Sequence, residues 1–128
     1  MIKFFKNIFH ISVLFLIIIS LYPGSLLGYF FYGDLSRQPD LISNPFGSTI
    51  NHFIYYFYVS LLGLFLYLKT ENFKKLVYSL FFLSGILEFL HFIVPNRSFQ
   101  ITDLCANIFG VLVAYCVVRI YLLFNKNE

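Results

Sequence analysis

Long apolar stretches limit what this chain can fold into. Four runs of about 20 residues, the length needed to cross the hydrocarbon core of a bilayer, occupy residues 8–27, 49–68, 76–94 and 101–124. With 59% hydrophobic and only 12% charged residues in 128, the chain has too few charges to cover the surface of a soluble domain. We therefore predict an all-α protein, a four-span transmembrane helical bundle that forms a single membrane domain over residues 1–128.

The basic residues indicate how this bundle is oriented. Seven Lys and Arg residues lie near the N-terminus, between the second and third runs, and near the C-terminus, whereas only Arg37 and Arg97 lie on the opposite side. The positive-inside rule then predicts a plasma-membrane protein with both termini in the cytoplasm. The first run resembles a signal peptide in its basic start, but it is long and no small-x-small cleavage site follows it, so we favour a membrane span.

Polar residues, whose burial in a bilayer costs free energy, are concentrated in one segment, LEFLHFIVPNRSFQITDLCAN, from Leu87 to Asn107. Glu88 and His91 lie one turn apart on the same face of the third run. Asp103 and Asn107 have the same relation on the fourth run. An ionised carboxylate at the bilayer centre costs about 2.5–3.5 kcal/mol on insertion scales, so an intramembrane acid is expected to have partners and a functional role.

Residues on the neighbouring runs extend this cluster. His52 lies in the first turns of the second run, at the same predicted depth. Pro95 ends the third run and makes an antiparallel hairpin with the fourth. Gly110 continues the face of Asp103 and Asn107, where a small residue allows close approach of a neighbouring helix. We predict that these polar groups converge in the outer leaflet.

Arg97 is the cation nearest to this cluster. Its forked guanidinium is able to bridge Glu88 and Asp103, or to bind a ligand phosphate with two hydrogen bonds. Structural interpretations stay open beside the functional one. Glu88 and Arg97 can act as a clamp on the hairpin, Asp103 can stabilise a helix dipole, and Asn107 can bond across helices.

The same segment resembles a known family. LEFLHFIVPNRSFQITDLCANIFGVLVAY is similar to the signature of the VanZ-like membrane proteins, in which Glu-x-x-Gln precedes Pro-x-Arg and Asp-x-x-x-Asn-x-x-Gly. SLYPG and NHFIYYF also resemble family segments. The matching residues are Glu88, Pro95, Arg97, Asp103, Asn107, Gly110, His52, Phe53 and Tyr56.

This chain departs from the family pattern at two places. The family commonly has Gln at the position of His91 and an Asp-Lys pair at the positions of Ser48 and Thr49. A role that needs that lysine is therefore not expected here. The resemblance implies a bacterial integral membrane protein of the cell envelope, from a family linked to glycopeptide (teicoplanin) resistance.

Three functions are compatible with these residues. The leading one is an outer-leaflet pocket that binds an anionic envelope lipid or a lipid-linked glycan, with Arg97 holding its phosphate or carboxylate. The ligand-binding residues would be Glu88, Arg97, Asp103, Asn107, His52 and His91. The alternatives are a membrane-embedded enzyme acting on an envelope lipid headgroup, and an accessory subunit of a membrane complex. No complete catalytic motif decides between them.

Other partners are not predicted. The sequence contains the residue types of a metal site, but Glu-x-x-His occurs once, whereas dinuclear carboxylate proteins carry it twice, so we expect neither a metal nor another cofactor. The basic residues form no stripe for nucleic acid. Membrane lipids are the expected partners, and the oligomeric state is left open.

Overall fold

The computed structural model describes residues 1–39 and 46–125. These residues form helices joined by turns. The helices, in chain order, are α1 (Ile2–Leu21), α2 (Leu26–Tyr32), α3 (Thr49–Leu66), α4 (Phe73–Leu90) and α5 (Ile101–Phe124).

Three helices, α1, α3 and α5, are long and apolar enough to cross a membrane. The fourth predicted span corresponds to α4, which has 18 residues but carries Lys74, Lys75 and Glu88. Many large apolar side chains on the outside of the bundle are exposed, among them Phe4, Phe82 and Phe124. This surface suits a protein that is embedded in lipid.

The first helix ends earlier than predicted, at Leu21 rather than near residue 27. Pro23 explains the break, because the residue before a proline is driven out of the helical region, and Tyr22 is extended with φ −69° and ψ 133°. Gly24 follows with φ +93°. The chain then forms the short helix α2, which was not among the predicted helices. The Ser25 hydroxyl caps its N-terminus by accepting from the Gly28 amide at 2.9 Å.

The closest packing in the bundle is between α3 and α5. A Cβ added at Gly110 of α5 would lie 2.7 Å from the carbonyl oxygen of Phe53 and 2.9 Å from the amide nitrogen of Phe57, both on α3. Ala114, one turn further, is fully buried. Gly110 therefore lies where α3 and α5 approach each other closely, and this contact fixes how the two helices face each other.

Both described ends of the chain lie at one end of the bundle. Phe9 of α1 stacks edge-on against Tyr67 at the end of α3, and Phe65 contacts Tyr121 near the end of α5. The last turn of α1, the first turns of α3 and α5 and the end of α4 therefore meet at the opposite end. We call that opposite end the polar end, because His52, Glu88 and Asp103 lie there.

A tight turn connects α4 to α5 at the polar end. The Arg97 amide donates to the Val94 carbonyl at 3.3 Å, and Asn96 has φ +57°. Pro95 and Asn96 thus occupy the central positions of a turn that favours proline first and a left-handed residue second. Pro95 acts here by setting the turn that presents Arg97.

Candidate functional site

The predicted polar residues come together at the polar end. Glu88, Asn107, His91 and Asp103 are 1%, 1%, 4% and 5% exposed, whereas His52 is partly open. Side chains from α3, α4 and α5 meet here, as the sequence predicted. Their hydrogen bonds separate them into two linked groups.

The first group contains Glu88 in the last turn of α4 and His91, the residue that follows this helix. Oε1 of Glu88 accepts from the Gln100 amide at 3.1 Å and lies 3.1 Å from Nδ1 of His91. Nε2 of His91 lies 3.0 Å from the Ser20 carbonyl oxygen. Since a carbonyl only accepts, Nε2 is the donor in this contact, and Nδ1 faces the Glu88 carboxyl group.

The second group contains His52, Asp103 and Asn107. The Asn107 amide nitrogen donates to the Ser84 carbonyl at 3.4 Å, so its oxygen faces Nδ1 of His52 at 3.1 Å. Nδ1 therefore carries the proton. Nε2 of His52 then faces Oδ2 of Asp103 at 3.5 Å.

Asp103 is held by a residue to which the sequence analysis gave no role. The Thr49 hydroxyl donates to Oδ1 of Asp103 at 2.6 Å. Thr49 occupies the position at which the family resembled by this chain commonly has a lysine. A short hydroxyl bond thus fixes the Asp103 carboxylate here.

The two groups approach each other at their acids. Ligand atoms of His52, Glu88 and Asp103 all lie within 4.8 Å of one another. Oε2 of Glu88 is buried and has no hydrogen-bond partner among residues 1–39 and 46–125. Three functional groups of metal-binding type therefore converge on one point.

Arg97 takes a different position from the bridge considered for it. Its Nη2 donates to the Ile19 carbonyl at 2.8 Å and its Nε to the Tyr22 carbonyl at 3.3 Å. No ion pair joins Arg97 to Glu88 or Asp103 in the described part of the chain. Burial lowers the pKa of Arg97, while the charges of Glu88 and Asp103 raise it. The guanidinium stays charged and caps the end of α1.

These side chains surround a small cavity of about 70 Å³. It is lined by Gln38, His52, His91, Asn96, Arg97, Ser98, Gln100 and Asp103. An open polar groove of about 560 Å³ adjoins it and shares Gln38 and Asn96 with its lining. The cavity and groove give the buried cluster a route to the surface at the polar end.

Sequence reasoning missed the contributions of α1. Ile19, Ser20 and Tyr22 contact the site through their carbonyl oxygens. Every residue has a backbone carbonyl, so side-chain chemistry does not indicate which carbonyls reach a site. The sequence feature that pointed to them is the break at Tyr22–Gly24, because a helix end exposes carbonyls that lack partners within the helix.

Comparison with known proteins gives one positive result. A family model described as VanZ/LLP1 matches residues 2–124, almost the whole chain. Neither a search of curated proteins nor a search of solved structures finds a match. The match includes every helix and every residue of the polar cluster. The chain is therefore a member of the VanZ/LLP1 family, as the Glu88, Pro-x-Arg and Asp-x-x-x-Asn-x-x-Gly segments indicated.

Proposed function

We propose that this protein binds, from the extracytoplasmic side of the plasma membrane, the phosphate of an anionic envelope lipid or of a lipid-linked glycan. The observation that supports this most directly is the position of Arg97. Its two hydrogen bonds to α1 use Nε and one Nη2 proton, which leaves three of the five guanidinium donors without a partner in the described chain. The guanidinium also lines the cavity.

The size of the cavity fits a phosphate rather than a whole headgroup. A water needs about 10–15 Å³ of such space, so the cavity of about 70 Å³ has room for a few waters or one phosphate. The remainder of a headgroup or a sugar would occupy the groove of about 560 Å³ beside Gln38 and Asn96. Neutral side chains such as Ser98 would donate to phosphate or sugar oxygens.

Charge distribution supports the proposed orientation. Lys3, Lys6 and Lys69 lie at the bundle end opposite the site, where positive residues favour the cytoplasm. The polar end would then face outward, where lipid phosphates and lipid-linked glycans are exposed. Under this proposal, a role in teicoplanin resistance would result from the binding of such an envelope ligand.

Removal of the Arg97 charge tests the proposal. The detergent-purified protein is incubated with phosphatidylglycerol, with a polyprenyl phosphate or with neutral phosphatidylcholine, and bound lipid is read by native mass spectrometry. We expect one anionic lipid per chain for the wild type, about tenfold less for Arg97→Gln and an intermediate amount for Arg97→Lys, which keeps the charge without the fork. The preferred probe distinguishes a phospholipid headgroup from a glycan carrier.

Arg119→Gln is the matched control, because Arg119 is exposed on α5 with its guanidinium 5.9 Å from the Tyr115 ring. It removes the same charge away from the site and should retain lipid at the wild-type level. Thermal unfolding of each variant reports whether loss of the α1 contacts has unfolded the bundle. Equal lipid binding by Arg97→Gln and the wild type would exclude the proposal.

A further inference from the structure

His52, Glu88 and Asp103 lie close together, and the proposed phosphate binding at Arg97 gives this cluster of three no role. We infer that these three residues form a site for one divalent transition-metal cation such as Zn²⁺. No metal was expected from the sequence, because Glu-x-x-His occurs in it only once. In the structure both His91 nitrogens are engaged, at Glu88 and at the Ser20 carbonyl, and His52 faces the carboxylates instead.

The geometry is close to that of a metal site. Tetrahedral zinc with bonds of about 2.0–2.1 Å to nitrogen and oxygen separates its ligand atoms by about 3.4 Å. Nε2 of His52 and Oδ2 of Asp103 are 3.5 Å apart, and a carboxylate oxygen of Glu88 lies within 4.8 Å of the ligand atoms of both. A shift of the Glu88 carboxylate toward His52 and Asp103 would complete a three-ligand site.

Each proposed ligand residue has one atom held and one atom left for the metal. Nδ1 of His52 bonds to Asn107, Oδ1 of Asp103 accepts from Thr49, and Oε1 of Glu88 accepts from the Gln100 amide. Such hydrogen bonds from the outer shell orient metal ligands in proteins. The remaining atoms are Nε2 of His52, Oδ2 of Asp103 and Oε2 of Glu88.

Oε2 of Glu88 supplies an independent argument. It is a buried carboxylate oxygen on a residue that is 1% exposed, and it lacks a hydrogen-bond partner within the described ranges. A buried polar atom without a partner destabilises the protein, and more so when it is charged. Coordination of a cation would satisfy this atom, and two carboxylates would neutralise a divalent charge.

The ligand set indicates the kind of cation. One imidazole nitrogen with two carboxylate oxygens suits zinc and other first-row divalent metals better than Mg²⁺ or Ca²⁺, which prefer oxygen alone. With three protein ligands, a fourth position stays open toward the cavity that His52 and Asp103 line.

Metal binding is testable on the full chain without lipid. The detergent-purified protein is stripped with a chelator and titrated with ZnCl₂ by calorimetry, and bound zinc is counted by elemental analysis after dialysis. We expect one zinc per chain for the wild type. His52→Asn, Glu88→Gln and Asp103→Asn should each weaken binding by more than about tenfold, whereas excess Mg²⁺ should not displace the zinc.

His10→Asn is the control for adventitious binding, because His10 is exposed near the N-terminus, with its Nδ1 2.6 Å from the Lys6 carbonyl oxygen. It should bind zinc as the wild type does. Absence of stoichiometric zinc in the wild type, or unchanged zinc affinity in the three site variants, would overturn the inference.

X-ray absorption at the zinc edge of the wild type keeps the inference testable if the variants do not fold. We expect only nitrogen and oxygen neighbours at about 2.0–2.2 Å. A sulfur neighbour at about 2.3 Å would instead identify binding by the exposed Cys105 or Cys116 and would refute the assignment. Arg97 is unchanged in all of these variants. A negative result for zinc would therefore not contradict the lipid proposal, which the Arg97 variants test separately.

Discussion

Glu88 connects several parts of the site. Its Oε1 accepts from the Gln100 amide at the start of α5 and contacts His91, which directly follows α4. Through His91 it also reaches the Ser20 carbonyl of α1. One buried carboxylate therefore joins three helices, and its loss should affect stability as well as binding.

Two substitutions at Glu88 separate its acceptor role from its charge. Glu88→Gln keeps an oxygen for the Gln100 amide and His91, so we expect a thermal midpoint near that of the wild type. Glu88→Leu removes the acceptor of the Gln100 amide and the partner of Nδ1 of His91, and we expect it to lower the free energy of unfolding by about 1–3 kcal/mol. Thermal unfolding in detergent, followed by circular dichroism, measures both variants, and equal midpoints for them would contradict the hydrogen-bond account.

The sequence identified residues whose burial in lipid is costly, and for that reason it found Glu88, His91, Asp103 and His52. It did not find how they pair. The bridge from Arg97 to Glu88, one of the two roles considered for Arg97, does not form in the described part of the chain: Glu88 bonds to His91, and Arg97 turns toward the carbonyls of α1. Spacing along a helix predicts which residues share a face, whereas the choice between nearby partners depends on where a neighbouring helix ends.

At the scale of elements, the contact of α3 with α5 determines whether the site forms. It brings Thr49 and His52 of α3 against Asp103 and Asn107 of α5. From Gly110 the sequence predicted close approach of a neighbouring helix, because small residues in a membrane helix allow it, but not which helix that would be. It did not predict α2, since a helix of seven residues lies within a loop that carries no long apolar period.

Gly110→Ala should destabilise the bundle, because the added methyl group would lie 2.7 Å from the Phe53 carbonyl oxygen and backbone cannot move aside easily. Overpacking of this kind costs about 1–3 kcal/mol. Gly85→Ala on α4 is the matched control, since nothing lies within 4 Å of its added Cβ and alanine favours a helix by about 1 kcal/mol. Thermal unfolding of the two variants compares them, and a more stable Gly110→Ala protein would show that α3 and α5 are packed differently.

At the scale of the whole molecule, the number of membrane crossings follows from α4. The helix has the length to cross, yet two lysines lie in its first turn and Glu88 in its last. The glutamate is buried among partners at the polar end, and the lysines lie where a membrane surface would be. We expect α4 to cross, which would place the connections before α3 and after α4 on the same side.

Single cysteines test this topology in a background where Cys105 and Cys116 are replaced by serine. We expect a membrane-impermeant maleimide to label Ser36→Cys and Ser98→Cys in intact cells and to label Thr70→Cys only after permeabilisation. All three positions are exposed. Labelling of Thr70→Cys and Ser98→Cys from the same side would show that α4 does not cross the membrane.

The first helix contributes to the site through main-chain oxygens of Ile19, Ser20 and Tyr22. Substitution of these side chains should therefore preserve the hydrogen bonds, provided that the path of the backbone is unchanged. Insertion or deletion of one residue before them would rotate the helix end by about 100° and turn these oxygens away from His91 and Arg97. Evolution of α1 is therefore expected to tolerate exchange of one apolar residue for another far better than a change in its length.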